Sequence, residues 1–167
     1  MNEKVALASS LARVLVAAHE DAVLNEIRDT LRENAYAVAA TNSGRKASEM
    51  LKEQQFAAVL ADIGLPDISG VELLRNARQA QPDATRVLIA ANLTLSATVE
   101  AINQAEVQKL ILKPLSRDTL LQQVSDAVAR FQERHQERLA VNTTRAMNET
   151  LTKLVQSMQR EREQKPA

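Results

Sequence analysis

Asp62 lies in the run Ala61-Asp62-Ile63-Gly64-Leu65-Pro66-Asp67-Ile68-Ser69-Gly70, where a short apolar segment gives way to a turn rich in Gly, Pro and Asp. A carboxylate in that setting projects from the end of a buried strand into a loop crevice, where open α/β sheets place their chemistry. A lone Asp in such a turn would otherwise be an ordinary turn residue. A second charged group, Lys113, directly follows the apolar run Leu110 to Leu112 and precedes Pro114. His19 has no second His or Cys at ligand spacing, so it reads as a polar loop residue and not as a transition-metal ligand. The chain contains no cysteine, which excludes disulfides, thiolate nucleophiles and Cys-ligated metals.

Positioning Asp62 and Lys113 at one edge requires strands, and apolar runs of strand length recur at Val14 to Ala17, Tyr36 to Ala40, Phe56 to Ala61, Arg86 to Ala91 and Leu110 to Leu112. They are nearly continuous instead of alternating, as parallel strands buried on both faces are. Between them, apolar residues recur at helical spacing: Val23, Leu24, Ile27 and Leu31; Ala47, Met50 and Leu51; Val71, Leu73, Leu74 and Ala77; Ala97, Ala101, Ile102 and Ala105. Strands alternating with helices predict an α/β fold, a doubly wound five-stranded parallel sheet. The spacing divides the 167 residues into an N-terminal extension over 1–12, a sheet domain over 13–131 and a helical extension over 132–167.

Composition excludes several functions. The 21 basic and 21 acidic residues balance, so nucleic acid and anionic lipid are not expected as partners. One Tyr, two Phe and no Trp leave little to stack bases on. No apolar stretch approaches the roughly 20 residues of a membrane span, and Met1 to Arg13 lacks the form of a signal peptide, so a cytoplasmic protein is expected.

Beyond Pro114 the pattern changes. Ser116 suits a helix N-cap, Asp118 suits a first turn, and neither Gly nor Pro recurs before Pro166. A continuous helix from Arg117 to Glu163 would be about 70 Å long at 1.5 Å per residue. Leu120, Leu121, Val124, Val128 and Phe131 form a proximal stripe that should cover the sheet. After the polar block from Gln132 to Arg138, Met147, Leu151, Leu154 and Met158 resume a stripe at spacings of four, three and four. That is coiled-coil spacing, and a homodimer through this helix is expected because isolated helices are marginal in water. Asn142-Thr143-Thr144 fits either the interior of the helix or a cap after a kink.

Together these features resemble the receiver domain of two-component response regulators over Arg13 to Phe131. Asp62-x-x-Leu65-Pro66-Asp67-x-x-Gly70 resembles the loop whose first Asp accepts the phosphoryl group, and Lys113-Pro114 resembles the family's lysine with its cis proline. Asn42-Ser43-Gly44 and Ala101-Ile102-Asn103 are most similar to receivers of HD-GYP phosphodiesterases or hydrogenase-type transcriptional regulators. The resemblance implies a flavodoxin-like sheet of order 2-1-3-4-5. It also implies a pocket in which an Asp attacks a phosphoryl donor while Mg²⁺, held by two acidic residues after the first strand, neutralises charge. A Ser or Thr ending the fourth strand and an aromatic residue in the fifth complete the family's switch.

This chain departs from that pattern. The two positions expected to be acidic are Ala18 and His19, followed by Glu20; the hydroxyl position is Ala91; the aromatic position is Leu110. Alanine offers no ligand and neutral imidazole is a poor one for Mg²⁺. Asp62, Asp67 and Lys113 remain as pocket residues, and Asp62 with Lys113 forms an ion pair able to hold a metal-free pocket together. Moving a switch from 1:99 to 99:1 takes about 5.5 kcal/mol of differential stabilisation. The missing groups are the ones that would supply it. The expectation is a degenerate receiver, not an enzyme, with no metal or other cofactor. It would act as a dimeric interaction module with a histidine kinase or an output-domain protein as possible partner. One alternative keeps Asp62 as phosphoacceptor, with Mg²⁺ held by Asp62 and Glu20. Another makes the chain the regulatory fragment of a larger regulator whose output domain lies beyond Ala167.

Overall fold

The computed structural model describes residues 12–164. The elements run β1 (Arg13–Ala17), α1 (Asp21–Glu33), β2 (Ala37–Thr41), α2 (Gly44–Glu53), β3 (Ala58–Asp62), α3 (Gly70–Ala80), β4 (Thr85–Ala90), α4 (Leu95–Ala105), β5 (Lys109–Leu112) and α5 (Arg117–Glu163). All four strand pairings are parallel, and the sheet order is β2-β1-β3-β4-β5, as expected for the doubly wound class. The expected N-terminal extension falls almost entirely outside the described residues. Ala12 is described, and it is buried in the core.

Local sequence explains where the helices begin. Ser43, Ser69 and Thr94 precede α2, α3 and α4, and each side-chain oxygen accepts from the backbone N–H three residues on, at Lys46, Glu72 and Ala97. Each cap satisfies one of the donors that a helix N-terminus leaves unpaired. At the other end of α4, Glu106 adopts a left-handed conformation with φ of 46°. Arg86, buried in β4, fixes that end by donating from Nε to the carbonyl of Ala105 at 2.9 Å and from Nη1 to that of Ala84 at 3.0 Å.

Alternation along the strands separates two cores. Val14, Val16, Leu60, Val87, Ile89 and Ile111 face α1 and the start of α5, meeting Leu24, Ile27, Leu31, Leu120, Val124 and Val128. Leu15, Val59, Ala61 and Leu88 face α2, α3 and α4 on the opposite side. β3 and β4 are buried throughout, as continuous apolar runs require. β3 begins at Ala58, later than the apolar run: Ala57 N–H already donates to the Arg13 carbonyl of β1, while Phe56 N–H is taken by the Gln81 side chain instead of a neighbouring strand.

Two apolar groups expected to be buried are not. Ile102 on α4 and Leu110 and Leu112 on the edge strand β5 are exposed, at 55, 41 and 55%. Together with Leu95 and Val99 they make an uncovered apolar face. Leu110 borders a groove of about 250 Å³ whose walls include Leu88, Leu93, Ala101 and Val107.

The chain divides into two units between Gln132 and Glu133. In the first, Leu120 and Val124 of α5 are buried, and Leu121 and Phe131 are partly buried against the same core. In the second, α5 is regular through Asn142-Thr143-Thr144: Thr143 Oγ1 donates to the Leu139 carbonyl at 2.8 Å and Thr144 Oγ1 to that of Ala140 at 3.0 Å. These threonines therefore lie within the helix. Among the described residues no helix is long and apolar enough to cross a membrane.

Candidate functional site

Asp62 ends β3, with its side chain only 6% exposed. The chain turns sharply here: Asp62 Oδ1 accepts the Gly64 N–H at 3.0 Å, and Gly70 N–H donates back to the Ile63 carbonyl at 3.3 Å. Gly70 is required at this closure, since a Cβ there would collide with the carbonyl carbon and oxygen of Asp62. The second carboxylate oxygen, Oδ2, accepts from Lys113 Nζ at 2.7 Å.

Lys113 is brought there by the sheet. It follows β5 directly, its N–H donates to the Ala90 carbonyl at 2.9 Å, and the Lys113-Pro114 peptide is cis. Its ammonium also lies 3.5 Å from Glu20 Oε1. Burial acts against the charged ammonium, but the hydrogen bond and charge of Asp62, aided by Glu20, outweigh it and hold the Lys113 pKa above its ordinary value. The structure thus brings together Asp62, Lys113 and Glu20.

The remaining expected pocket residues contribute apolar surface or lie elsewhere. Ala18 is fully buried after β1, and its N–H donates to the Thr41 carbonyl at 3.2 Å. His19 is exposed, and Glu20 is the N-cap residue of α1, its carbonyl accepting from Leu24 N–H at 2.9 Å. Ala91 is exposed just past β4, while Ala90 is the buried last residue of the strand. Both positions carry a methyl group, so neither can offer phosphate a hydroxyl. Leu110 stands where the aromatic was expected and lines the groove between α4 and β5.

Asp67 does a different job from the one its motif suggests. Its carboxylate faces the N-terminus of α2, where Oδ2 accepts from Ser43 Oγ at 2.7 Å and Arg45 N–H at 3.0 Å. Oδ1 accepts from Gly44 N–H at 2.8 Å and from Ile68 N–H at 3.0 Å. The Ser43 hydroxyl and then the Arg45 N–H are the main reasons its pKa falls well below the ordinary 3.8. Asp67 is therefore a clasp between the loop after β3 and the loop after β2, and it leaves Asp62 and Lys113 to each other. The signal was present in the Asn42-Ser43-Gly44 helix start, but its partner lies 23 residues away in sequence.

A divalent ion needs several oxygen ligands converging on one point. Here the carboxylate oxygens that the structure brings together are the two of Asp62, already engaged by Gly64 and Lys113, and those of an exposed Glu20. Among the described residues no three His, Cys, Asp or Glu side chains cluster so as to hold a metal. The residues present do not fit the Mg²⁺ that the family pattern implies.

Comparison with known proteins bears on the family and the fold. The response regulator receiver domain family matches residues 14–125. The hydrogenase transcriptional regulatory protein HoxA of Cupriavidus necator is 31% identical over 117 residues, which are 70% of this chain and 24% of HoxA. The alginate biosynthesis transcriptional regulatory protein AlgB of Pseudomonas putida is 32% identical over 108 residues, 65% of this chain and 24% of AlgB. The chain thus spans about a quarter of the length of these relatives. Among solved structures, a CheY-like response regulator receiver domain protein from Methanospirillum hungatei JF-1 superposes with a TM-score of 0.71 at 24% identity. The match covers 74% of this chain and 98% of that one.

Proposed function

Since this chain belongs to the response regulator receiver domain family, we propose that it is a degenerate receiver, a dimeric interaction module held in one conformation and not switched by Mg²⁺-dependent phosphorylation. The observation that carries this reading is the buried methyl of Ala18, followed by an exposed His19, where the family pattern has its acidic pair, with Ala90 as the buried last residue of β4. In such a pocket Asp62 keeps the family's lysine as its partner, 2.7 Å from Oδ2. No second acidic pair is at hand to bind a metal, and no hydroxyl to receive a phosphoryl oxygen. Two states that differ in phosphorylation then have little to tell them apart, and a ligand with no differential affinity shifts no equilibrium.

Output on this reading comes through surfaces. The exposed stripe of Met147, Leu151, Leu154 and Met158 supports a homodimer through α5, and the partner is a histidine kinase or an output-domain protein. The competing reading, phosphorylation of Asp62 with Mg²⁺ held by Asp62 and Glu20, draws on the approach of Glu20 to Lys113. One experiment separates the two. The protein is incubated with Mg²⁺ and beryllofluoride or a small acyl phosphate, and is followed by fluorine NMR and intact mass, with Asp62→Asn as control. No adduct is expected. A stoichiometric adduct that disappears in Asp62→Asn would sink the degenerate reading.

A further inference from the structure

The exposed apolar residues of the second unit have an order that reads the same in both directions. Met147, Leu151, Leu154 and Met158 follow one another at spacings of four, three and four, symmetric about the point between Thr152 and Lys153. All four are more than half exposed, as is the adjoining Val155. We infer that two copies of this segment pair antiparallel, centred on that point, with Met147 opposite Met158 and Leu151 opposite Leu154. This inference rests on the homodimer proposed above and assigns its direction.

The symmetry alone permits both directions, because a parallel pair in register would set each residue against its own copy. The flanking positions decide. Extending the spacing by three and four residues brings Glu161 into the seam at one end, and Thr144, Ala140 and Glu137 at the other. In a parallel pair Glu161 would face Glu161, and Glu137 would face Glu137, two like-charge contacts inside the seam. In the antiparallel pair Glu161 faces Thr144, and no like charges meet in the seam. Between Met147 and Met158 the positions that usually carry register-setting charges beside a parallel seam are Asn148, Thr150, Val155 and Ser157, which have none. Nothing there favours the parallel arrangement.

The size of the contact suits a second copy. Six apolar side chains between Val141 and Met158, exposed by 52 to 66%, would each lose roughly 100 Å² of accessible area. That gives about 1,200 Å² over both helices, at the lower edge of specific interfaces.

The absence of cysteine allows a direct test on the full chain. Asn142→Cys, Gln156→Cys and Glu163→Cys place single nitroxide labels at exposed positions on one line along the helix, and each variant is read by pulsed dipolar EPR at the protein concentration at which light scattering is measured. For the antiparallel pair the axial separation is about 30 Å at 142 and 163 and about 10 Å at 156, at 1.5 Å per residue. A long, short, long pattern is therefore expected. Equal distances at all three sites would overturn the antiparallel direction and leave the dimer standing. No intermolecular distance at any site, with a monomer mass by light scattering, would overturn both.

Discussion

Replacing Lys113 by Met removes the cation from Asp62 while keeping most of the length of the side chain. Breaking a fully buried ion pair from one side costs about 3–5 kcal/mol. Here the Lys113 side chain is 19% exposed and Asp62 retains the Gly64 N–H, so the cost should be smaller, about 2 kcal/mol. Asp62→Asn should cost about 1 kcal/mol, because the stranded ammonium reaches water more easily than the stranded carboxylate. The sign of that second effect is informative. Where three carboxylates crowd one pocket, neutralising one of them relieves repulsion and stabilises the fold. Ala18 and His19 supply no such repulsion, so Asp62→Asn should destabilise this chain. The double variant should cost less than the sum of the singles, leaving a coupling of about 1.5 kcal/mol. Tyr36, the sole Tyr in a chain without Trp, packs against the core of the receiver unit. Its fluorescence follows that unit's urea unfolding without a signal from the distal helix. With a urea slope of roughly 1.5 kcal/mol/M, Lys113→Met should lower the midpoint by about 1.3 M. The folded-state pKa of Lys113 lies above its ordinary 10.5. Stability from the pair is therefore fully present below that value and is lost as pH rises through the folded-state pKa. The gap between wild type and Lys113→Met should close only in strongly alkaline solution. An unchanged midpoint in Lys113→Met, or a raised one in Asp62→Asn, would refute the structural role of the pair.

Asp67→Ala should cost about 2 kcal/mol by urea unfolding, because it removes the acceptor for four donors at the start of α2. The Asp67 pKa is depressed in the folded state, so its contribution is present above the ordinary 3.8 and is lost as pH falls towards the folded-state value. The acid limb of stability against pH should therefore be shallower in Asp67→Asn than in wild type; equal slopes would show that the clasp carries no net stability. Gly70→Ala should lower thermal stability by about 3 kcal/mol or more, since the new Cβ meets Asp62 backbone that cannot turn aside. Gly44→Ala meets the side chain of Ile68, which can rotate, so it should cost clearly less. Equal melting temperatures for the two variants would contradict that account.

Most of the sheet was legible in the sequence, for a physical reason. Parallel strands buried on both faces need uninterrupted apolar runs, and the runs around Leu15, Leu60 and Leu88 are all buried as expected. That Ala18 carries no carboxylate is a property of the residue and not of its surroundings, and needs no structure to read. Partnership was harder to read. Asp67 belongs by sequence to the motif of Asp62, yet its carboxylate is committed to α2, and only the folding of two loops onto each other decides that. Arg86 makes the same point inside a buried strand, where its charge is accommodated by carbonyls at the end of α4. Periodicity also identifies an apolar face without saying what covers it. Ile102, Leu110 and Leu112 fit their strand and helix patterns and still face outward, since β5 is an edge strand and α4 leaves part of it bare.

The same limit applies with more force to α5. Its first part buries Leu120 and Val124 against the sheet, while Leu151 and Leu154 in the second unit are each 53% exposed. An apolar stripe of that length is unfavourable in water unless a partner covers it, and a long helix beyond its domain gains little stability from propensity alone. The two halves of the chain thus point the same way. The pocket keeps the family's lysine beside Asp62 but carries Ala18 and His19 where the family pattern has acidic residues, and the helix carries exposed apolar surface. Phosphorylation as the signal would call on metal ligands that Ala18 and His19 do not provide in the way the family pattern has them. If association is the signal, the receiver unit needs only to be stable, and the Asp62 to Lys113 pair and the Asp67 clasp both serve that end.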